Sequence, residues 1–314
     1  MIKWLKHILG IAILSFLIWY LAGHWQQVKA LLKLDVFELA VIYFVSFIGI
    51  LNNAVVIKAI LKPMGVKVFF GDMVLLQNAC LLLNYVPMKF GTLFMANYLK
   101  RHYGLKYSQF GTFSVYLTLL LSAVTSLTGI IVMIFVYGLA DVQKQLLTAV
   151  FLICLVASIL LILVPLPVPK GTSRLAIVLR DFLIGRKAVA QDTKALFVAG
   201  FFLLFNFVLT SIRLAVIYHS MNVKVHPAGF LVLGALGFIL MFINITPGAL
   251  GIREAVLGAG AVVLGVPLEA GVTAAIIDRA IALSWASAIG GVCVGWLWHK
   301  SPADFSKENT ISTC

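Results

Sequence analysis

The sequence predicts an all-α polytopic membrane protein with six transmembrane helices, two re-entrant helical hairpins and an inverted-topology repeat. Its 314 residues are 62% hydrophobic and only 11% charged, whereas soluble domains carry about 25% charged residues. Apolar runs of about 20 residues, long enough to cross a bilayer, recur along the chain. Two further apolar stretches are broken by Pro and Gly at the same spacing. A soluble protein is therefore excluded, and a single membrane domain is expected over residues 1–314.

The six crossing helices follow the uninterrupted apolar runs. Each run has the length and the low charge of a transmembrane helix. The first run follows Lys3 and Lys6 and also matches a signal peptide. We expect it to be retained, because its loss would spoil the symmetry between the two halves of the chain. The predicted spans are 4–21, 37–60, 107–137, 145–165, 195–219 and 267–297.

The two broken stretches, 72–99 and 228–264, are predicted to be helical hairpins. Pro87 and Pro247 lie near their middles, and each is followed by Gly four residues later. Proline removes a backbone donor and clashes with the preceding turn, and glycine permits a turn, so each stretch should divide into two half-helices. The alternative is a kinked helix that crosses the membrane, with neighbouring helices satisfying the freed backbone groups.

Loop charge favours hairpins that return to the side on which they begin. With two such hairpins, the basic segments 100–106 and 166–194 lie on the cytoplasmic side with both termini, while 138–144 and 220–227 lie outside. A single crossing by 72–99 would place the most basic loop outside, against the positive-inside tendency. We therefore expect a multi-pass protein with both termini in the cytoplasm, and we expect its membrane to be a prokaryotic plasma membrane.

The two breaks share the pattern Asn-x-x-Pro-x-x-x-Gly at an offset of 160 residues. The same offset maps span 37–60 onto 197–220 and span 107–137 onto 267–297, which were assigned from hydrophobicity alone. The two asparagines are interpreted as caps for carbonyl groups freed by the break, with contact to a headgroup as the alternative. The residues predicted to shape the hairpin tips are Asn84, Pro87, Gly91, Asn244, Pro247 and Gly251.

This offset divides the chain into two repeats of opposite orientation. Repeat 1 covers about residues 1–137 and repeat 2 about residues 145–297, and residues 298–314 form a cytoplasmic tail. Each repeat holds two spans, a hairpin and one more span, so an odd number of crossings inverts the second repeat. The two hairpin tips should therefore meet near the membrane midplane, where transporters of this kind bind their substrate.

At these motifs the chain resembles the flippase-like membrane domain of lysylphosphatidylglycerol synthases and its stand-alone relatives. The resemblance is carried by LLLNYVPMKFGTLFMANYL and by ITPGALGIREA followed by Asp278 and Arg279, and it spans nearly the whole chain. It implies movement of a phosphate-bearing lipid between leaflets. The first motif departs from the family pattern, with Lys89, Thr92 and Met95 where Arg, an acid and a further Arg are usual. This departure leaves open whether the lipid is an aminoacylated phosphatidylglycerol. No soluble synthase domain is expected, because nothing follows Cys314.

A few charged residues lie deep in the predicted membrane region, where charge usually marks function. Arg253 and Glu254 lie in the first turn after the second hairpin tip, and Asp278 and Arg279 lie about 16 Å into the last span. Lys89 lies at the first hairpin tip, and Arg213 lies nearer the outside on span 195–219. Four cations against two carboxylates leave two excess positive charges, which suits a phosphate near half-helix N-termini. A closed ion-pair cluster without a ligand is the alternative. The predicted substrate-binding residues are Lys89, Arg213, Arg253, Glu254, Asp278 and Arg279. Asn52 and Asn53 align near Arg213 and either line the same cavity or bond between helices.

The sequence contains no catalytic, cofactor or metal-binding motif. The leading hypothesis is a flippase-like transporter of an anionic phospholipid or a polyprenyl-phosphate-linked lipid. The alternatives are an intramembrane lipid-modifying transferase, with Glu254 and Asp278 in acid–base roles, and a non-transporting membrane partner of a lipid or glycan biosynthetic enzyme. The net charge of +13 is spread over short loops between apolar runs, which predicts anionic membrane lipids as partners and no nucleic acid. Self-association stays open.

Overall fold

The computed structural model describes residues 34–85, 90–163, 174–239 and 252–299. Within these ranges the chain consists of α-helices with short 3₁₀ and π turns and contains no strand, as predicted. The helices are α1 Val36–Leu61, α2 Phe70–Leu83, α3 Phe90–Tyr103, α4 Tyr107–Val132, α5 Val142–Leu163, α6 Arg174–Gln191, α7 Thr193–Ser220, α8 Gly229–Ile239, α9 Ile252–Val263, α10 Leu268–Trp285 and α11 Gly291–His299.

Five segments of the described residues are long and apolar enough to cross a membrane, so the protein is a multi-pass membrane protein. They overlap all the predicted spans except 4–21, which lies outside the described residues. Two of them are lengthened by π turns, at Met133–Tyr137 after α4 and at Ala286–Gly290 between α10 and α11. Most of the predicted tail also lies outside the described residues. The segments are Val36–Met64, Tyr107–Tyr137, Val142–Ile162, Thr193–Ser220 and Leu268–Leu297.

Aspartate caps the N-termini of α1 and α7. The Asp35 carboxylate accepts a hydrogen bond from Val36 N at 2.7 Å, and Glu38 accepts one from Asp35 N at 3.1 Å. In α7 the Asp192 carboxylate accepts from Ala195 N at 2.9 Å. Such caps satisfy backbone N–H groups that have no partner within the helix. They explain why both helices begin at the edge of an apolar run.

The first broken stretch forms two helices, α2 and α3, that pack against each other. At their open end the Tyr103 hydroxyl donates to Asp72 Oδ2 at 2.5 Å and accepts from Phe69 N at 3.3 Å. The stretch therefore begins and ends at the same end of the molecule. The helix continues past the predicted boundary at residue 99, because the basic residues of its last turn favour a helix C-terminus. Residues 86–89, which include Pro87 and Lys89, lie outside the described residues.

The second broken stretch also forms two helices in mutual contact, α8 and α9. A Cβ on Gly229, at the start of α8, would lie 3.4 Å from Leu264 Cδ1, just after α9, so the two ends of this stretch are also close together. The Tyr137 ring, at the end of α4, packs against the His226 ring with centroids 6.2 Å apart. Residues 240–251, which include Asn244, Pro247 and Gly251, lie outside the described residues.

The basic segments between the spans gather at the end of the molecule that holds Tyr103. Lys106 Nζ lies 3.1 Å from Asp181 Oδ2 on α6. Arg186 is buried and donates to the carbonyl oxygen of Leu161 at 2.8 Å, which caps the C-terminus of α5. The α6 helix packs one face on α4 and the Lys62–Met64 turn and exposes Ile184 and Lys187.

The helix order of the first half recurs in the second half. The starts of α1, α2, α3 and α4 precede those of α7, α8, α9 and α10 by 157, 159, 162 and 161 residues. The packing is reciprocal, because α2 contacts α11 and the preceding π turn while α8 contacts α4. The equivalent helices α1 and α7 pack along each other. Asn52 Nδ2 donates to Phe202 O at 2.6 Å, and Asn206 Nδ2 donates to Gly49 O at 3.1 Å.

Candidate functional site

Five charged residues form one group between α7, α9 and α10, which we call the arginine–carboxylate cluster. Asp278 is completely buried, and its Oδ1 and Oδ2 lie 2.7 Å from Arg213 Nε and 2.5 Å from Arg253 Nη2. Arg279, only 2% exposed, places Nη1 2.6 Å from Glu254 Oε1. Successive residues of a helix point about 100° apart. The neighbours Arg253 and Glu254 of α9 can therefore contact the neighbours Asp278 and Arg279 of α10 as two separate pairs.

Close packing of α9 against α10 makes these pairs possible. A Cβ on Gly271 would lie 2.6 Å from Ala261 Cβ and 2.8 Å from Gly258 Cα. Any larger residue at position 271 would therefore push the helices apart. Small residues allow helices in membranes to approach closely, so that van der Waals contact replaces the absent hydrophobic driving force. The same approach brings the charged side chains within ion-pairing distance.

The cluster carries a net positive charge. Arg213, Arg253 and Arg279 contribute three positive charges, and Glu254 and Asp278 contribute two negative charges, which leaves one positive charge. Glu254 lies in the first turn of α9, where the helix dipole favours an acidic residue. Charges removed from water must be paired. Both carboxylates are paired with arginines, and one positive charge of the cluster remains in excess.

A cavity of about 550 Å³ lies next to the cluster, between both helices of the first broken stretch and α1, α4, α7 and α10. Arg213 lines it and is the one charged residue among its described lining residues, whereas the other four cluster members do not line it. Its walls include apolar residues such as Ile57, Leu81 and Trp285. Its uncharged polar lining residues include Ser46, Asn53, Gln77, Asn84, Tyr85, Thr92, Ser114, Thr118, Asn206 and Thr210.

The structure brings five of the six predicted binding residues together, and the sixth, Lys89, lies outside the described residues. Arg213, which was predicted to lie nearer the outside, contacts Asp278 through its side chain. The two asparagines of α1 follow different alternatives. Asn52 forms a hydrogen bond to α7, whereas Asn53 lines the cavity. Asn84 ends α2 and lines the cavity near Gly91.

Sequence reasoning missed several polar residues of the cavity. Asn206 and Ser46 are separated by the same 160 residues that separate Arg213 and Asn53, and all four line the cavity. A search for polar residues at that offset within apolar helices would have found them. Gln77 carried no such signal in the sequence, because position 237, at the same offset, is a glycine.

Comparison with known proteins identifies a family for most of the chain. A family model described as lysylphosphatidylglycerol synthase TM region matches residues 7–291. No curated protein and no solved structure matches the chain. The matched residues contain both broken stretches, the whole arginine–carboxylate cluster and every described residue that lines the cavity.

Proposed function

Because the chain belongs to the family of the lysylphosphatidylglycerol synthase TM region, we propose that it is a flippase-like transporter. Its substrate is an anionic phospholipid or a polyprenyl-phosphate-linked lipid, which it moves between membrane leaflets. The observation that carries the proposal is that Arg213 belongs both to a net positive buried cluster and to the wall of an amphiphilic cavity. An arginine in such a position offers an anionic headgroup a charged hydrogen-bond donor within the membrane.

The dimensions of the cavity suit a headgroup better than a whole lipid. Its volume of about 550 Å³ is within the range of about 300–1,000 Å³ typical of small-molecule sites. Each acyl chain of a phospholipid extends for about 15 Å, half of the hydrocarbon thickness. Two such chains would not fit beside a headgroup. In the proposed mechanism the headgroup enters the cavity while the chains stay in the bilayer, past the exposed side chain of Leu81.

Unused donors in the cluster also favour an anionic ligand. Arg213 contacts Asp278 through Nε, and a guanidinium group has four further N–H donors. A buried donor without an acceptor is costly. A phosphate oxygen would supply such an acceptor and would balance the excess positive charge.

Re-entrant hairpins and an inverted repeat complete the proposal. The two ends of the first broken stretch meet at Tyr103 and those of the second near Gly229. The recurring helix order and the reciprocal packing of α2 and α8 support two halves related by symmetry. In such transporters the halves rock against each other around a central site. This arrangement would expose the cavity to one leaflet at a time.

Single-cysteine labelling tests this topology. In a cysteine-free background, Gln143→Cys and Lys224→Cys should react with an impermeant maleimide in intact cells. Arg101→Cys and Lys187→Cys should react only after the membrane is permeabilised, because they lie on the cytoplasmic side. All four positions are exposed. Labelling of Arg101→Cys from outside would rule out the first re-entrant hairpin and the inverted repeat. The native cysteines to replace are Cys80, Cys154, Cys293 and Cys314.

Reconstitution of the purified protein into liposomes tests the function itself. Fluorescent lipids placed in one leaflet should appear in the other at a rate that increases with protein content. Formation of a modified lipid would instead support the transferase. Neither exchange nor product would support a non-transporting partner of a biosynthetic enzyme. Glu254 and Asp278 are both engaged by arginine, which favours a binding role over the acid–base role that a transferase needs.

Lys89→Gln tests whether the first hairpin tip contributes to the phosphate site. Thr92 replaces the acidic residue that usually follows in this motif, and no acidic residue lies near Lys89 in sequence, so folding should be unaffected. Loss of one charge-assisted hydrogen bond, worth about 1.5–3 kcal/mol, should slow lipid movement by roughly tenfold or more. Lys187→Gln, an exposed cation on α6 outside the cavity, is the matched control. Normal transport by a well-folded Lys89→Gln variant would contradict a site shared by both hairpins.

A further inference from the structure

We propose that the lipid headgroup bound in the cavity is a phosphate joined to an uncharged, hydroxyl-bearing group, such as glycerol or a sugar. A headgroup that carries an ammonium group is disfavoured. The inference rests on the proposed transport function and narrows its substrate class. It is carried by the chemical character of the cavity lining, which combines one guanidinium group with neutral amides and hydroxyls.

The charge of the cavity lining disfavours a cationic headgroup. Among the described residues that line the cavity, Arg213 is charged and none is an aspartate or glutamate. The carboxylate in contact with Arg213 is that of Asp278, and both of its oxygens are engaged by arginines. An ammonium group in the cavity would therefore lie near a guanidinium group without a counterion. Such placement costs both desolvation and like-charge repulsion.

The lining also offers neutral hydrogen-bonding groups. Asn53 on α1 and Asn206 and Thr210 on α7 line the cavity together with Arg213. Gln77 on α2 also lines the cavity. Amide and hydroxyl groups can both donate to and accept from the hydroxyl groups of a ligand. The Asn206 amide and the Thr210 hydroxyl already donate to the carbonyl oxygens of Gly49 and Asn206, so they offer acceptors to a ligand. A glycerol or sugar hydroxyl can donate to them and can also accept from the Asn53 amide, whereas an ammonium group accepts no hydrogen bond.

Thr92 provides a position at which this selectivity can be changed. It lies in the first turn of α3, is exposed, and lines the cavity. A glutamate there would add the carboxylate that the cavity lacks, without breaking an ion pair. Glutamine has nearly the same size and no charge. Thr92→Glu and Thr92→Gln are therefore a matched pair that separates the effect of charge from that of volume.

The experiment compares leaflet exchange of labelled phosphatidylglycerol and labelled lysyl-phosphatidylglycerol in liposomes that contain the full chain. The wild-type protein should move phosphatidylglycerol about tenfold faster or more, because an uncompensated charge typically changes affinity at least that much. Thr92→Glu should remove most of this difference, and Thr92→Gln should retain it. A polyprenyl-phosphate-linked sugar serves as the third probe. It shares the proposed headgroup chemistry with phosphatidylglycerol, so the rates at which the two lipids move show which of them is the substrate.

Two outcomes would overturn the inference. Equal or faster movement of the lysyl lipid by the wild type would overturn it while leaving the transport function intact. If no lipid moves, the transport function fails, and the melting temperature of the protein in detergent with each lipid then decides the headgroup preference. Greater stabilisation by phosphatidylglycerol than by the lysyl lipid would support the inference. Equal or greater stabilisation by the lysyl lipid would overturn it.

Discussion

Asp278→Asn should leave little folded protein and abolish lipid transport. Asp278 is completely buried and its two oxygens contact Arg213 and Arg253. The substitution leaves two guanidinium groups close together with no negative charge between them. Removing one partner of a buried ion pair typically costs about 3–5 kcal/mol, and here two pairs share the lost charge. Thermal unfolding in detergent and lipid exchange in liposomes measure the two effects.

Asp141→Asn is the matched control for this prediction. Asp141 also forms an ion pair, with Lys144 Nζ at 2.7 Å, but its side chain is 64% exposed. Exposed pairs contribute about 0–1 kcal/mol, so this variant should unfold and transport like the wild type. An Asp278→Asn protein as stable as Asp141→Asn would show that the arginines do not depend on this carboxylate, and the described cluster would be wrong.

Arg279→Met should also abolish transport and destabilise the protein by about 3–5 kcal/mol. Arg279 is buried, and its Nη1 contacts Glu254 Oε1. Its loss leaves the buried Glu254 carboxylate without this counterion. Arg253→Ala should abolish transport for a related reason, because it removes one of the two arginines on Asp278 and a donor from the cluster.

The double variant Arg279→Met with Glu254→Leu separates a binding site from a structural ion pair. Replacing a buried pair with apolar residues of similar volume is often neutral or stabilising. The double variant should therefore recover most of the stability that each single variant loses, as a double-mutant cycle would measure. If the cluster contributes to lipid binding, transport stays absent in this stable protein. Recovery of wild-type transport would assign Arg279 and Glu254 a purely structural role.

Much of the fold could be predicted from the sequence because the bilayer restricts the choice of structures. An apolar run of sufficient length must be helical, since no water is present to satisfy its backbone groups. All the predicted spans in the described part of the chain are found. The proline and glycine of the first break were sufficient to predict two helices in place of one. The extension of α3 beyond residue 99 was not predicted. The basic residues after this position indicated a loop, whereas basic residues also stabilise the C-terminus of a helix.

The candidate site was less predictable. Charge in an apolar segment identified Arg253, Glu254, Asp278 and Arg279, but their pairing could not be read from the sequence. Arg213 illustrates the difficulty, because nothing in the sequence indicated that its side chain contacts Asp278. The uncharged residues of the cavity were mostly missed. A lone Asn, Gln or Thr in an apolar helix bonds between helices as often as it faces a ligand.

The sequence alone determined the membrane class, the helical spans, the two broken stretches and the family to which the chain belongs. These follow from composition, apolar length and local motifs, which act within one segment of the chain. Only the tertiary structure decided which charges pair, that Arg213 joins the arginine–carboxylate cluster to the cavity, and that no described residue lining the cavity is acidic. Those features depend on how α7, α9 and α10 pack. Helix packing is set by the shapes of side chains distant in sequence, such as Gly271 against Gly258 and Ala261.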